Sequence, residues 1–205
     1  MVWLSHRPWL TEEQIFFYSN AWPDLRGAHT KKELIALTEM TVAIDPGTHR
    51  TGVAVFQGEA LKWAALIQPP RGLEVEDRIT HIVGSLEEIE KALEGRVAAV
   101  VLEQATAIEG HQPAPELQTL IRRLRRWATR KPRRALCFTY HPSTIYSAIR
   151  FRQHSGPHKE QIKLGVLALY SAQLPNDPPE DVIDAVAIGH CHLCKEKERR
   201  LGVAE

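Results

Sequence analysis

Cysteine is scarce in this chain. Cys137, Cys191 and Cys194 are the only three in 205 residues, an odd number without framework spacing, which excludes a disulfide scaffold and fits a reducing compartment. Asparagine occurs only at Asn20 and Asn176 while arginine outnumbers lysine, a bias in the direction of thermophilic or GC-rich sources. No stretch approaches the run of about 20 apolar residues that a bilayer span needs. The opening MVWLSHRPWLTEE lacks the basic-then-apolar order of a secretory signal, so no membrane partner is expected and the cytoplasm is the expected location. An excess of one charge is missing too: 26 Lys and Arg stand against 25 Asp and Glu, for a net charge of +1. Total charge therefore neither demands nor forbids a polyanionic partner, and the distribution has to decide.

What is present is one good core. At 43% hydrophobic, the chain can bury a single full domain with a modest appendage. Residues 1–39 read as that appendage, a short helical extension: Thr11, followed by Glu12, Glu13 and Gln14, can cap a helix carrying Ile15, Phe16, Phe17 and Trp22. Pro23 and Gly27 break it, and Lys31 to Met40 reads as a second helix. A hairpin packed on the main domain is the simplest expectation, with a small DNA-binding or dimerisation unit as the alternative.

Residues 40–205 form the main domain. Thr41 to Gln57, TVAIDPGTHRTGVAVFQ, is an apolar strand ending in Asp45, a Pro-Gly turn, and a second strand. Ala60 to Ile67 closes a three-stranded meander. Val75, Ile79, Ile82, Val83, Leu86, Ile89 and Leu93 then recur at helical spacing. Arg96 to Glu103 is apolar on both faces, as a central parallel strand is, and it too ends in a carboxylate. A helix over about Glu116 to Arg130, a strand at Ala135 to Tyr140, a short segment around Ser143 to Ile149, and helices over about His158 to Ala172 and Pro179 to Glu198 complete the order. The expected architecture is an α/β domain, a mixed five-stranded sheet with helices on both faces, in which right-handed crossovers set the first strand beside the fourth. Asp45 and Glu103 then lie together at the carboxyl ends of parallel strands, where such sheets collect ligands.

A lone carboxylate at a strand end is as often a turn cap as a functional group. The final helix, PPEDVIDAVAIGHC, supplies more acids: Asp181 and Asp184 are three apart and share a face. Helix-dipole complementation accounts for Glu180 and in part for Asp181, and it accounts poorly for Asp184, a turn deeper beside Ala185 and Val186. Carboxylates from two strand ends and one helix face suit hard divalent cations, which prefer oxygen ligands, and two such ions can clamp a phosphodiester. Without a cation, bunched acids raise one another's pKa.

AIDPGTHRTGVAV, VVLEQ, HKEQIKLGVLALY and EDVIDAVAIGHCH, in this order and spacing, resemble the RuvC family of Holliday junction resolvases, in the RNase H-like superfamily. The likeness covers about Met40 to Leu193. It implies a homodimeric, Mg2+-dependent endonuclease, with Mn2+ able to substitute, that nicks two opposed strands of a four-way DNA junction in recombination and repair. It also implies that Asp45, Glu103, Asp181 and Asp184 are metal ligands and that Lys159, in the K-x-Q pattern opening the penultimate helix, assists at the scissile phosphate. The competing reading of Lys159 is an ordinary surface lysine, which is the less favoured one because a cation at a helix N-terminus opposes the dipole. Two departures stand out: the position two after the glutamine of VVLEQ, aromatic in many cellular resolvases, is Thr106, and a second family lysine falls near Tyr146. Junction opening would then rest on another residue such as Ile108. The extension at 1–39 suggests a divergent, phage-type branch, hence a bacterial or phage-infected cell as the expected setting.

The run IRRLRRWATRKPRR is the densest basic feature. Arg122, Arg123, Arg126 and Arg130 on this helix, Arg150 and Arg152 in the loop beyond, and Lys163 are the expected DNA-contacting residues, since clustered cations supply phosphate affinity. The resemblance implies that some of these arginines face a partner subunit instead. Cys191, Cys194, His190 and His192 invite a zinc reading, but a second ligand pair at suitable spacing is missing. The D-x-G-T turn at Asp45 is shared with sugar kinases and actin-like ATPases, which need two such domains where this chain has room for one. A less selective branched-DNA or flap nuclease of the same fold, and a junction-binding protein that does not cut, are the competing readings. The complete acidic set argues against the last, because a pure binder gains nothing from four carboxylates facing a polyanion.

Overall fold

The computed structural model describes residues 39–106, 112–130, 135–149 and 157–202. The expected helices of the N-terminal extension, and Ile108, Arg150 and Arg152, lie outside the described residues. Among the described residues, five strands and five α-helices follow in the order β1 (Met40–Asp45), β2 (Thr51–Gln57), β3 (Ala60–Ile67), α1 (Val75–Ala92), β4 (Val97–Glu103), α2 (Pro115–Thr129), β5 (Leu136–Tyr140), α3 (Pro142–Ile149), α4 (His158–Tyr170) and α5 (Glu180–Arg200). They build one mixed sheet in the order β3-β2-β1-β4-β5. β1 pairs antiparallel with β2 and parallel with β4, and β4 pairs parallel with β5. The carboxylate-bearing β1 is thus the central strand.

Strand alternation sorts the side chains between two helical layers. Val42 and Ile44 of β1 and Val100 and Leu102 of β4 point into a core formed with Ile79, Ile82, Leu86 and Ile89 of α1 and Leu120, Leu124 and Trp127 of α2. Ala43, Ala54 and Val101 point the other way, into a core with α3, α4 and α5. With a period of two, Asp45 and Glu103 belong to this second face. Each of the large side chains in these cores stabilises the fold by roughly 2 kcal/mol through burial.

On the second face, Ala43, Gly52 and Ala54 are small, and this lets the first half of α5 press against the sheet. A Cβ at Gly52 would fall 1.8 Å from the Asp181 carbonyl oxygen, and one at Gly189 would fall 2.1 Å from the Phe56 ring. Ala185, Val186, Ala187 and Ile188 are fully buried between these two points. α5 therefore rests on β2 by direct backbone contact near its first turn and by a glycine-to-ring contact further along.

Several boundaries differ from the sequence expectation: Met40 opens β1 rather than closing a helix, α5 runs to Arg200 rather than Glu198, and α4 ends early. The helix opening at His158 ends at Tyr170, not Ala172, and passes into a 3-10 turn at Ser171–Gln173. The Leu174 amide donates to the Ser171 carbonyl, and Leu174 itself is buried in the second core; the tighter turn brings it there.

Candidate active site

Parallel pairing aligns Ala43 with Val101 and Ile44 with Leu102, so the next step along both strands puts Asp45 beside Glu103 at the carboxyl end of the sheet. Antiparallel pairing sets Asp45 opposite Gly52, and the Gly52 backbone lies against the Asp181 carbonyl. That contact lodges the first turn of α5 over the strand ends, with Asp184 one helical turn further in. Four carboxylates from three elements thus share one electrostatic neighbourhood, all of them half-buried.

The pKa values of Asp45, Asp184 and Glu103 record this. Asp45 is raised from 3.8 to about 8, chiefly by burial and then by the charges of Asp184, Glu103 and Asp181. Asp184 is raised to about 6, again by burial first, with Lys159 opposing and Glu180, Glu103 and Asp181 reinforcing. Glu103 is pushed up by burial, and Lys159 pulls it back. Lys159 reaches this neighbourhood from the first turn of α4. It forms an ion pair with Glu180, and that hydrogen bond, helped by the charges of Glu180, Asp184 and Asp45, holds its ammonium above the usual lysine range against a burial cost.

Sequence reasoning missed one basic residue here. Arg50, in the turn between β1 and β2, places Nη2 2.8 Å from Oδ2 of Asp181. A basic residue inside the DPGTHRTG turn was the available signal, but its partner lies 131 positions away and only the fold joins them.

An oxygen-only donor set in which burial pushes Asp45, Asp184 and Glu103 up fits a hard divalent cation, because the ion supplies the positive charge these acids lack. Among the described residues, no three His, Cys, Asp or Glu side chains are gathered closely enough to hold an ion in the positions they occupy. Asp181 is turned to Arg50 instead.

The expected DNA-contacting residues divide. Arg123 pairs with Glu76 and donates to Thr80 at 3.2 Å, and Arg130 pairs with Glu87 at 2.6 Å and Glu90 at 3.6 Å. Both tie α2 to α1. Arg122, Arg126 and Lys163 are exposed. Arg122 and Arg125 line a cleft of about 490 Å3 with Gln104, Gln112 and Gln118, beginning one residue beyond Glu103. Tyr146, where the family resemblance leads one to expect a lysine, donates to Gln161 at 2.8 Å and stacks on His158 with centroids 4.1 Å apart, which fixes the start of α4 next to Lys159.

The histidines near the end of the chain have structural partners. His190 Nδ1 is 2.7 Å from the Tyr170 hydroxyl and its Nε2 3.4 Å from Cys194 Sγ, while His192 Nδ1 is 2.9 Å from the Tyr140 hydroxyl. They couple α5 to α4 on one side and to β5 on the other. Burial lowers the pKa of both histidines and pushes the Cys191 thiol up to about 12. Among the described residues, no helix is long and apolar enough to cross a membrane.

No family model matches the chain, and no curated protein sequence is similar to it. Solved structures are. The Thermus thermophilus RuvC structure superposes with a TM-score of 0.63 at 20% identity, covering 81% of this chain and 98% of that one. T. thermophilus RuvC in complex with Holliday junction substrate gives 0.64 at 18% identity, over 82% and 98% of the two chains. The yeast mitochondrial Holliday junction resolvase gives 0.53 at 13% identity, over 84% and 88%. The chain has the RNase H-like α/β fold of these solved structures, matched over 81–84% of its own length.

Proposed function

We propose that this protein is a structure-specific DNA endonuclease that resolves four-way junctions by paired, divalent-metal-dependent phosphodiester hydrolysis, acting as a homodimer. The observation that carries the reading is the convergence of Asp45, Glu103, Asp181 and Asp184, with Lys159, at the carboxyl ends of β1 and β4. A fold shared with solved resolvases, one of them described as complexed with Holliday junction substrate, supports it.

Asp45, Glu103, Asp181 and Asp184 would hold Mg2+, or Mn2+ in its place. When bound, the ion supplies an activated water and charge neutralisation at the phosphate. The remaining work falls to the chain. Asp45 is half-buried at the strand end, which restricts bulk water on the protein side of the centre. Lys159, kept protonated by its acidic neighbours, can donate to a non-bridging phosphate oxygen and neutralise part of its charge. Exposed Arg122, Arg126 and Lys163 would track the strands through phosphate contacts, which fix register without reading sequence; Arg150 and Arg152 are proposed for the same role.

A labelled four-way junction incubated with protein and Mg2+ tests this. Paired, symmetric nicks are expected, and Asp184→Asn should abolish them. A less selective branched-DNA nuclease remains the second reading, favoured by Thr106 in place of an aromatic wedge. Forks and flaps cut as fast as the junction would support it.

A further inference from the structure

Two cations close on two consecutive acids where α5 begins: Lys159 takes Glu180, and Arg50 takes Asp181. The second pair is prepared by the backbone of the β1–β2 turn. A Cβ at Gly47 would fall 2.2 Å from the Arg50 carbonyl oxygen, and Thr51 Oγ1 donates to the Gly47 carbonyl at 2.7 Å. Gly52 then seats the same turn against Asp181. A turn closed this tightly and packed on α5 offers Arg50 to Asp181. The Arg50 side chain is 48% exposed, so the pair contributes little to stability and is free to exchange partners.

We propose that Arg50 is a latch on the metal centre. It neutralises Asp181 while no divalent ion is bound, competes with the ion for that carboxylate, and on release turns to a phosphate of the bound strand. The inference rests on the metal-dependent function proposed above. Its physical basis is a difference in charge and reach. A guanidinium brings one positive charge to one acid, whereas a divalent ion brings two and can also take the neighbouring carboxylates of Asp45, opposite Gly52, and Asp184, one turn further along α5. The ion therefore wins Asp181, though against a standing competitor. The freed guanidinium then lies at the mouth of the site, where its planar fork matches two phosphate oxygens. Arg50 is thus a positioning residue toward the metal and a binding residue toward DNA.

Mn2+ titration of the DNA-free protein, followed by electron paramagnetic resonance, separates the possibilities. Arg50→Gln should bind Mn2+ about two- to five-fold more tightly than wild type, the range an exposed ion pair commands, and Arg50→Lys should fall between the two. In Ca2+, Arg50→Gln should bind a four-way junction several-fold more weakly. Equal or weaker Mn2+ binding by Arg50→Gln overturns the latch alone, and unchanged junction affinity overturns the release to phosphate. If neither protein binds Mn2+, the metal-dependent function falls and the latch falls with it. Melting curves matching to within a few degrees would show that the variants are folded.

Discussion

Replacing Asp45 by asparagine should make the metal-free protein more stable while ending the proposed nuclease activity. The folded-state pKa of Asp45 is about 8 against an ordinary 3.8, so the folded protein keeps a proton that the unfolded chain gives up. Stability then falls as pH rises from the ordinary value toward the folded one, and the loss is absent below about pH 4. From there to pH 7 is about three pH units at about 1.4 kcal/mol each, or about 4 kcal/mol. Coupling among the four acids and residual burial in the unfolded state reduce this, leaving about 2 to 4 kcal/mol. Asparagine has nearly the same shape, takes no charge at any pH and escapes the whole penalty. For a domain of this size the gain corresponds to a rise in Tm of roughly 5 to 15 °C in EDTA at pH 7.5. At pH 4 the two proteins should melt together. Added Mg2+ should raise the Tm of wild type and not of the variant, because ligand bound only by the folded state stabilises it. A lower or equal Tm for Asp45→Asn in EDTA at pH 7.5 would sink the account of Asp45 as a strained, charge-starved ligand.

Three further outcomes follow from the geometry. Gly52→Ala places a methyl group where the Asp181 carbonyl stands, so it should cost about 3 kcal/mol or more and weaken Mg2+ binding; urea denaturation and calorimetry read the two losses. Arg122→Ala with Arg126→Ala should lower the salt slope of junction binding by about 2, whereas Arg130→Ala should leave the slope unchanged and cost at most about 1 kcal/mol of stability, since Arg130 is held by Glu87 and Glu90. Because Asp45 and Asp184 hold protons up to about pH 8 and about pH 6, a cation must displace them; apparent Mg2+ affinity should rise about ten-fold or more between pH 6 and 8, with proton release measurable by titration in buffers of different ionisation enthalpy.

Much of the placement of these acids was legible in the sequence. β1 and β4 are apolar on both faces, so their runs stand out and their terminal acids fall on the same register; parity alone assigns Asp45 and Glu103 to one side of the sheet. Asp184 betrayed itself by standing among residues that bury. The pairing of Arg50 with Asp181 was not legible, because it depends on how closely Gly52 lets α5 approach. Nor was the division among the arginines: Arg122 and Arg123 are neighbours in sequence, but their directions differ by about 100° around the helix, and only the crossing of α1 and α2 decides which one meets Glu76. Where the chain leaves the helical pattern early, at Tyr170, the cause is a tertiary demand on Leu174 that local propensity does not express.

The two glycine contacts of α5 also have a mechanical meaning. A rod touched at one point can pivot, but one seated at Gly52 and again at Gly189 can neither slide along the sheet nor roll on it without striking a carbonyl or a ring. The offset between the helix acids and the strand acids is thereby set by main-chain contact, and it is insulated from repacking in the layer of α1 and α2 on the far side. That layer is free to drift in sequence, or to be redesigned, while the spacing of the acids stays as it is.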